Sequence, residues 1–290
     1  MGLNNRIIRL LDHARTSGVD FDATAMIGRQ QVHLSKSDFC KVAADCNLSD
    51  IEHLADELFG PADRYAEPLL KAFGAQSIDS VDASDYEDAN VVTDLNEPID
   101  TSLHKQYSCV IDGGSLEHVF NFPNAIKNCM QMTRVGGNFI SVNGTNNFSG
   151  HGFYQFSPEL MYRVLSPENG FEVCDMFIWE RHEGSQIYQV ADPAKVRSRV
   201  IPLNHRPTFL IVVAKRTAEA EIFSQTPQQS DYTVDWAAGV HREPSVAPID
   251  PPLLKRVGKK AENKVRAARN RLFSQFRSEH FEPFDLRRRA

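Results

Sequence analysis

Three aspartates stand at the ends of short apolar runs: Asp82 after 78–81, Asp94 after 90–93 and Asp112 after 109–111. A carboxylate at the carboxyl end of a strand can accept hydrogen bonds from ribose hydroxyls, and in an open parallel sheet ligands bind beyond those ends. One such aspartate is weak evidence, because Asp also makes turns and caps helices. Three at successive strand ends form a pattern. Asp112 is followed by Gly113 and Gly114, which permit a tight backbone and the close approach of another molecule. The bland alternative is that Asp112 and the glycines only make a turn.

The elements that must position these residues can be read in outline. The stretch 107–121, YSCVIDGGSLEHVFN, reads as a buried strand. It is expected to break into a helix carrying Leu116, Val119 and Phe120 on its apolar side, capped by Ser115 or Gly114. A first strand is predicted over 23–27, with Gly28-Arg29-Gln30-Gln31 as its exit loop. A short amphipathic helix over 5–14 precedes it, and a helical insert over 35–76 follows, broken at Gly60-Pro61. Helix 124–132 ends at Gly136-Gly137 where a left-handed cap is wanted, and a fifth strand follows over 138–142. The polar and aromatic loop 143–155 could close over a substrate, and Ser157-Pro158 opens the next helix. Segments 171–179 and 208–214 are β-like and are expected to pair as a terminal antiparallel hairpin around the excursion 180–207. Strands alternating with helices predict an α/β fold with a mainly parallel sheet covered on both faces.

Composition narrows the classes. A chain of 290 residues with 41% hydrophobic content can bury a large core, which excludes a disordered chain. The net charge of −6 is uneven: residues 253–290 hold 12 Lys and Arg against 4 Asp and Glu, +8, leaving −14 before them. Five cysteines without paired C-x-x-C spacing indicate neither a disulfide scaffold nor a zinc site, so no metal is expected. No apolar run reaches about 18 residues and the N-terminus has no signal-type core. A reducing cytoplasm is the expected compartment.

DGGSLEHVFN from Asp112, RVGGNFISV from Arg134 and FSPELMYRVL from Phe156 together carry a family likeness. Over 22–215 the sequence resembles the class I S-adenosylmethionine-dependent methyltransferases. That resemblance implies a Rossmann-like, seven-stranded sheet with its last strand antiparallel, and S-adenosylmethionine across the ends of the first, second and fourth strands. It also implies that Asp82 holds the cofactor ribose, that Asp94 and Leu95 flank the adenine, and that Asp112 with Gly113 faces the methionine end. The sequence departs from the family at the first motif, MIGRQQVHLS, where Gly28 stands alone in place of a glycine run. Arg29 beside it either pairs with the cofactor carboxylate or fills the pocket.

A sulfonium makes its methyl group electrophilic, so the protein must align a nucleophile and remove a proton from a hydroxyl or amine. No metal is needed for that step. Candidate bases are His151, flanked by Gly150 and Gly152, and Glu117 and His118 just past the junction. Each has a plain alternative: a solvated loop histidine, a carboxylate favoured by a helix N-terminus, and a packed or capping histidine. The expected organisation is an N-terminal helix (1–20), a methyltransferase-like domain (21–216), a linker (217–252) and a basic amphipathic helical tail (253–290). In the tail, Leu254, Val257, Ala261, Val265, Ala268, Leu272 and Phe276 recur at spacings of three and four. It suits docking onto the acidic body, self-association or an anionic membrane surface, while thin aromatic interleaving argues against nucleic acid. Three functions follow: a methyltransferase acting on a small-molecule or sugar acceptor; a methyltransferase-like scaffold that has lost its cofactor and works through the tail; and a different nucleotide-dependent enzyme, such as an oxidoreductase. The last is disfavoured because no G-x-G-x-x-G follows the first strand.

Overall fold

The β-branched and apolar runs of the sequence become the strands of a mixed sheet in a computed structural model, which describes residues 2–182, 184–197, 199–232 and 280–286. The strands are β1 (Ala23–Ile27), β2 (Ser77–Asp82), β3 (Val91–Val92), β4 (Tyr107–Asp112), β5 (Thr133–Asn146), β6 (Phe171–Glu180), β7 (Ile187–Val190), β8 (Thr208–Arg216) and β9 (Phe281–Phe284). The helices are α1 (Asn5–Thr16), α2 (Lys36–Asp45), α3 (Ile51–Phe59), α4 (Glu67–Ala72), α5 (Phe122–Met132), α6 (Pro158–Val164) and α7 (Pro193–Val196). Sheet order is β3-β2-β1-β4-β5-β8-β6-β7-β9. Strands β3, β2, β1, β4 and β5 are parallel neighbours, and β8 enters antiparallel between β5 and β6.

The sheet therefore has nine described strands, not seven. The expected antiparallel pair is present as β6 and β8, but the excursion between them adds β7 to the outer edge of β6, and β9 pairs with β7. Short segments separated from the sheet by long connections leave little trace of strand periodicity, which is why both were missed. Phe281 of β9 is buried, so part of the 253–290 segment belongs to the sheet. The helical reading of 253–279 falls outside the described residues, as does the linker reading of 233–252. Residues 217–232 pack onto the domain, where Ile222 is buried and the Ser230 amide donates to Glu159 Oε1 at 2.7 Å.

Alternation along the central strands sends side chains into two separate cores. Met26, Cys109, Ile111 and Ile140 face α1 and the insert helices α2 to α4, whereas Ala25, Ile27, Val110 and Phe139 face α5 and α6. The N-terminal helix is capped by Asn4, whose side chain accepts from the amides of Arg6 and Ile7.

One local expectation fails in a way that matters for the site. The chain does not pass from β4 straight into a helix; it makes a 3-10 turn over Leu116–His118, and α5 starts only at Phe122. Asn121 is held away from helical geometry by its bonds to Asn96, at 2.9 Å from both its amide and its side chain. Pro123 then supplies the fixed φ of a first helical turn. Phe120, expected on an apolar face, is consequently 71% exposed.

Helix α5 also anchors the loop after β3. Asn128 is fully buried; its Nδ2 donates to the carbonyls of Leu95 (3.2 Å) and Glu97 (2.8 Å), and its Oδ1 accepts from the Ile99 amide at 3.3 Å. Asn128→Ala should lower stability by about 1–3 kcal/mol, because it strands buried backbone groups. Urea denaturation measures this, and an unchanged midpoint would show that the latch contributes nothing.

Candidate functional site

The carboxyl ends of β1, β2 and β4 are brought level by register, Ile27 lying opposite both Val81 and Asp112. Above them opens a cavity of about 460 Å³, within the range of small-molecule sites. Gly28, Arg29, Asp82, Asp94, Leu95 and His118 all border it. Three of these, Gly28, Arg29 and Asp82, were expected on the cofactor side from the sequence, together with the adenine-side pair Asp94 and Leu95, and His118 was expected as a base.

Gly28 works alone at the first loop because its conformation cannot be shared. Its φ is +69°, and a Cβ there would sit 2.7 Å from Ser115 Oγ. Ser115 Oγ itself donates to the Ile27 carbonyl at 2.7 Å, which ties the exit of β1 to the exit of β4. Arg29 does not plug the cavity. Its Nε donates to Glu67 Oε1 at 2.7 Å, its Nη1 to the Glu87 carbonyl at 3.1 Å, and its guanidinium lies 3.8 Å over the Tyr65 ring. The insert thus draws the cation to one wall. Asp94 Oδ1 accepts from the amide and side chain of Asn96, and these bonds hold its carboxyl below the ordinary range.

Asp112 and Gly113 lie below the cavity surface and do not border it. Asp112 is fully buried: Oδ1 accepts from the amides of Gly114 (3.2 Å), Ser115 (2.8 Å) and Leu116 (3.2 Å), and Oδ2 from Ser141 Oγ (2.8 Å) and Asn143 Nδ2 (2.6 Å). Gly113 is covered by Gln30, whose Oε1 would lie 2.2 Å from a Cβ at that position. Gln30 Nε2 donates to the Ile27 carbonyl at 2.9 Å, while Oε1 is buried without a donor in the protein. Gln30, Ser115 and Glu87 were not anticipated as lining residues. The available signal was Gln30 standing in the stretch where a further glycine was sought.

The three candidate bases converge beside the cavity, which His118 borders and Glu117 and His151 do not. Glu117 sits in the 3-10 turn, and its carbonyl accepts from the amides of Phe153 (2.8 Å) and Tyr154 (3.3 Å), strapping the loop after β5 to the turn. Gly152 makes this approach possible, since a Cβ there would lie 2.8 Å from that carbonyl oxygen. His151 Nε2 consequently comes within 3.6 Å of Glu117 Oε1, and the His118 and His151 rings meet edge to face at 5.1 Å. The Glu117 carboxyl is 1% exposed, and neither oxygen has a hydrogen-bond donor. Burial, reinforced by the nearby Asp112, pushes its pKa up to about 8. Burial and the adjacent His151 push His118 down.

No protein-family model matches the chain, and no curated protein does. Solved structures similar to it include a candidate methyltransferase of Bacillus halodurans (TM-score 0.40, 10% identity, 75% of this chain and 100% of that one). Another is the Burkholderia thailandensis 1,6-didemethyltoxoflavin-N1-methyltransferase with S-adenosylhomocysteine bound (0.38, 12%, 74% and 78%). A third is the branched-chain polyamine synthase of Thermus thermophilus with 5'-methylthioadenosine (0.38, 10%, 78% and 61%).

Raising the Glu117 pKa disfavours its charged form in the folded state, so its contribution to stability is complete below the ordinary carboxyl range and is lost as pH rises through about 8. Metal-free protein should therefore lose melting temperature over that interval, and Glu117→Gln should lose less. Thermal scans in the presence of a chelator compare the two, and parallel pH profiles would contradict the assignment.

Proposed function

We propose that the chain is an S-adenosylmethionine-dependent methyltransferase whose acceptor is a hydroxyl or amine of a small molecule or sugar. The observation that carries this is the charge and shape of the cavity at the ends of β1, β2 and β4. Among the described residues, Asp82, Glu87 and Asp94 border it against one Lys or Arg, Arg29, which the insert holds to one wall. Such a lining favours a cationic ligand with a ribose diol and disfavours the pyrophosphate of a dinucleotide. The residues present suit that ligand: Gly28 leaves room a Cβ would fill, and the orphaned Gln30 Oε1 offers an acceptor to an ammonium group.

In this reading Asp82 accepts from the ribose hydroxyls. Leu95, buried and latched by Asn128, gives an apolar wall for the adenine, with Asp94 beside it. Asp112 and Gly113 shape the floor through Gln30, and Arg29 stands at the carboxylate end. The bound cofactor supplies an electrophilic methyl group. With an acceptor hydroxyl or amine in line with that methyl group, Glu117, His118 and His151 would take up the proton it gives up. His118 borders the cavity, so this cluster marks the acceptor end.

Calorimetric titration tests the reading. S-adenosylmethionine should bind and NAD should not, whereas silence toward both would favour the scaffold. Asp82→Ala should weaken cofactor binding by about 1–3 kcal/mol, roughly 5- to 150-fold, if the carboxylate holds the ribose. An unchanged affinity would remove that role.

A further inference from the structure

We infer that Glu117, His118 and His151 form a binding site for a divalent first-row transition-metal ion at the acceptor end of the cavity. The three offer one ligand atom each, all within 4.8 Å of one another. Metal–nitrogen and metal–oxygen bonds run about 2.0–2.2 Å, so adjacent ligands stand about 3 Å apart and opposed ones about 4 Å. Closing the difference asks for less than an ångström from each side chain. His151 can supply it, being 41% exposed and flanked by Gly150 and Gly152, the latter packed directly on Glu117.

The independent pointer to a ligand is Glu117. A carboxyl that is 1% exposed and has no donor on either oxygen is costly to keep, and natural proteins rarely leave both oxygens of such a group unsatisfied. A cation beside it supplies the missing partner and offsets the unfavourable proximity of the Asp112 carboxyl. Two imidazoles and a carboxylate suit zinc, cobalt, nickel, manganese or ferrous ions and are too few to close the coordination shell. His118 borders the cavity, so an acceptor oxygen there could complete the shell. An ion held there would lower the pKa of a coordinated hydroxyl, and would then take over from the three side chains the task of easing its proton loss to water. This favours oxygen acceptors that can chelate, such as neighbouring hydroxyls.

What the ion does rests on the methyltransferase reading; whether it binds does not. The test titrates Co2+ into full-length protein stripped by chelator, followed by calorimetry and visible absorption, with S-adenosylhomocysteine titrated in parallel. One equivalent of Co2+ per chain is expected, with affinity falling at least about tenfold in both Glu117→Gln and His151→Ala and unchanged in His53→Ala. Glu117→Gln keeps the buried shape and His151→Ala removes a half-exposed side chain, so loss in both is not a folding effect. Absent Co2+ binding, or binding indifferent to both substitutions, overturns the site. S-adenosylhomocysteine binding without Co2+ would leave the methyltransferase reading standing and remove the ion. Co2+ binding lost in both variants, without nucleoside binding, would support the ion site and remove the methyltransferase reading.

Discussion

A buried carboxylate holds the centre of this molecule together. Asp112 collects three amides from the turn after β4 and two side-chain donors from β5, Ser141 and Asn143. Burial raises its pKa, and the hydrogen bonds it accepts work against that rise. From that knot the rest follows. The turn is held out of a helix, Ser115 is set to clasp the end of β1, and Glu117 is turned inward near the Asp112 carboxyl. The residue that reads in the sequence as a ligand contact is the support on which the contacts stand.

Gly28 and Gln30 show how a sparse first loop can still leave a cavity open. The usual argument for several glycines is close backbone approach. Here only Gly28 needs its positive φ, and Gln30 lies flat over Gly113 with its amide nitrogen bonded back to the strand end. Arg29, the bulky cation that threatened to close the space, is pulled outward by Glu67 and Tyr65 of the insert. The insert therefore has a role at the site as well as in the core.

Much of the site's frame was legible in the chain. Apolar runs ending in Asp82, Asp94 and Asp112 located β2, the loop after β3 and β4, because strand burial and the punctuation that ends a strand are both local signals. The pairing of 171–179 with 208–214 was legible for the same reason. What local pattern cannot carry is distance. That Gly152 lets the loop after β5 lie against Glu117, or that Phe281 joins β7 in a ninth described strand, depends on tertiary packing. Phe120 misled because its spacing fits a helix that Asn121 and Asn96 prevent. The convergence of Glu117, His118 and His151 had only the adjacent Glu-His pair and a glycine-flanked histidine as its sequence trace.

The account depends on one hollow above β1, β2 and β4 receiving a sulfonium nucleoside with its reactive end toward the two histidines. A crystal structure of the full chain with S-adenosylhomocysteine tests this most directly. The ribose should lie against Asp82, the base against Leu95, and the sulfur on the His118 side of the cavity. Density for the nucleoside elsewhere, or with its base toward His118, would contradict the claim.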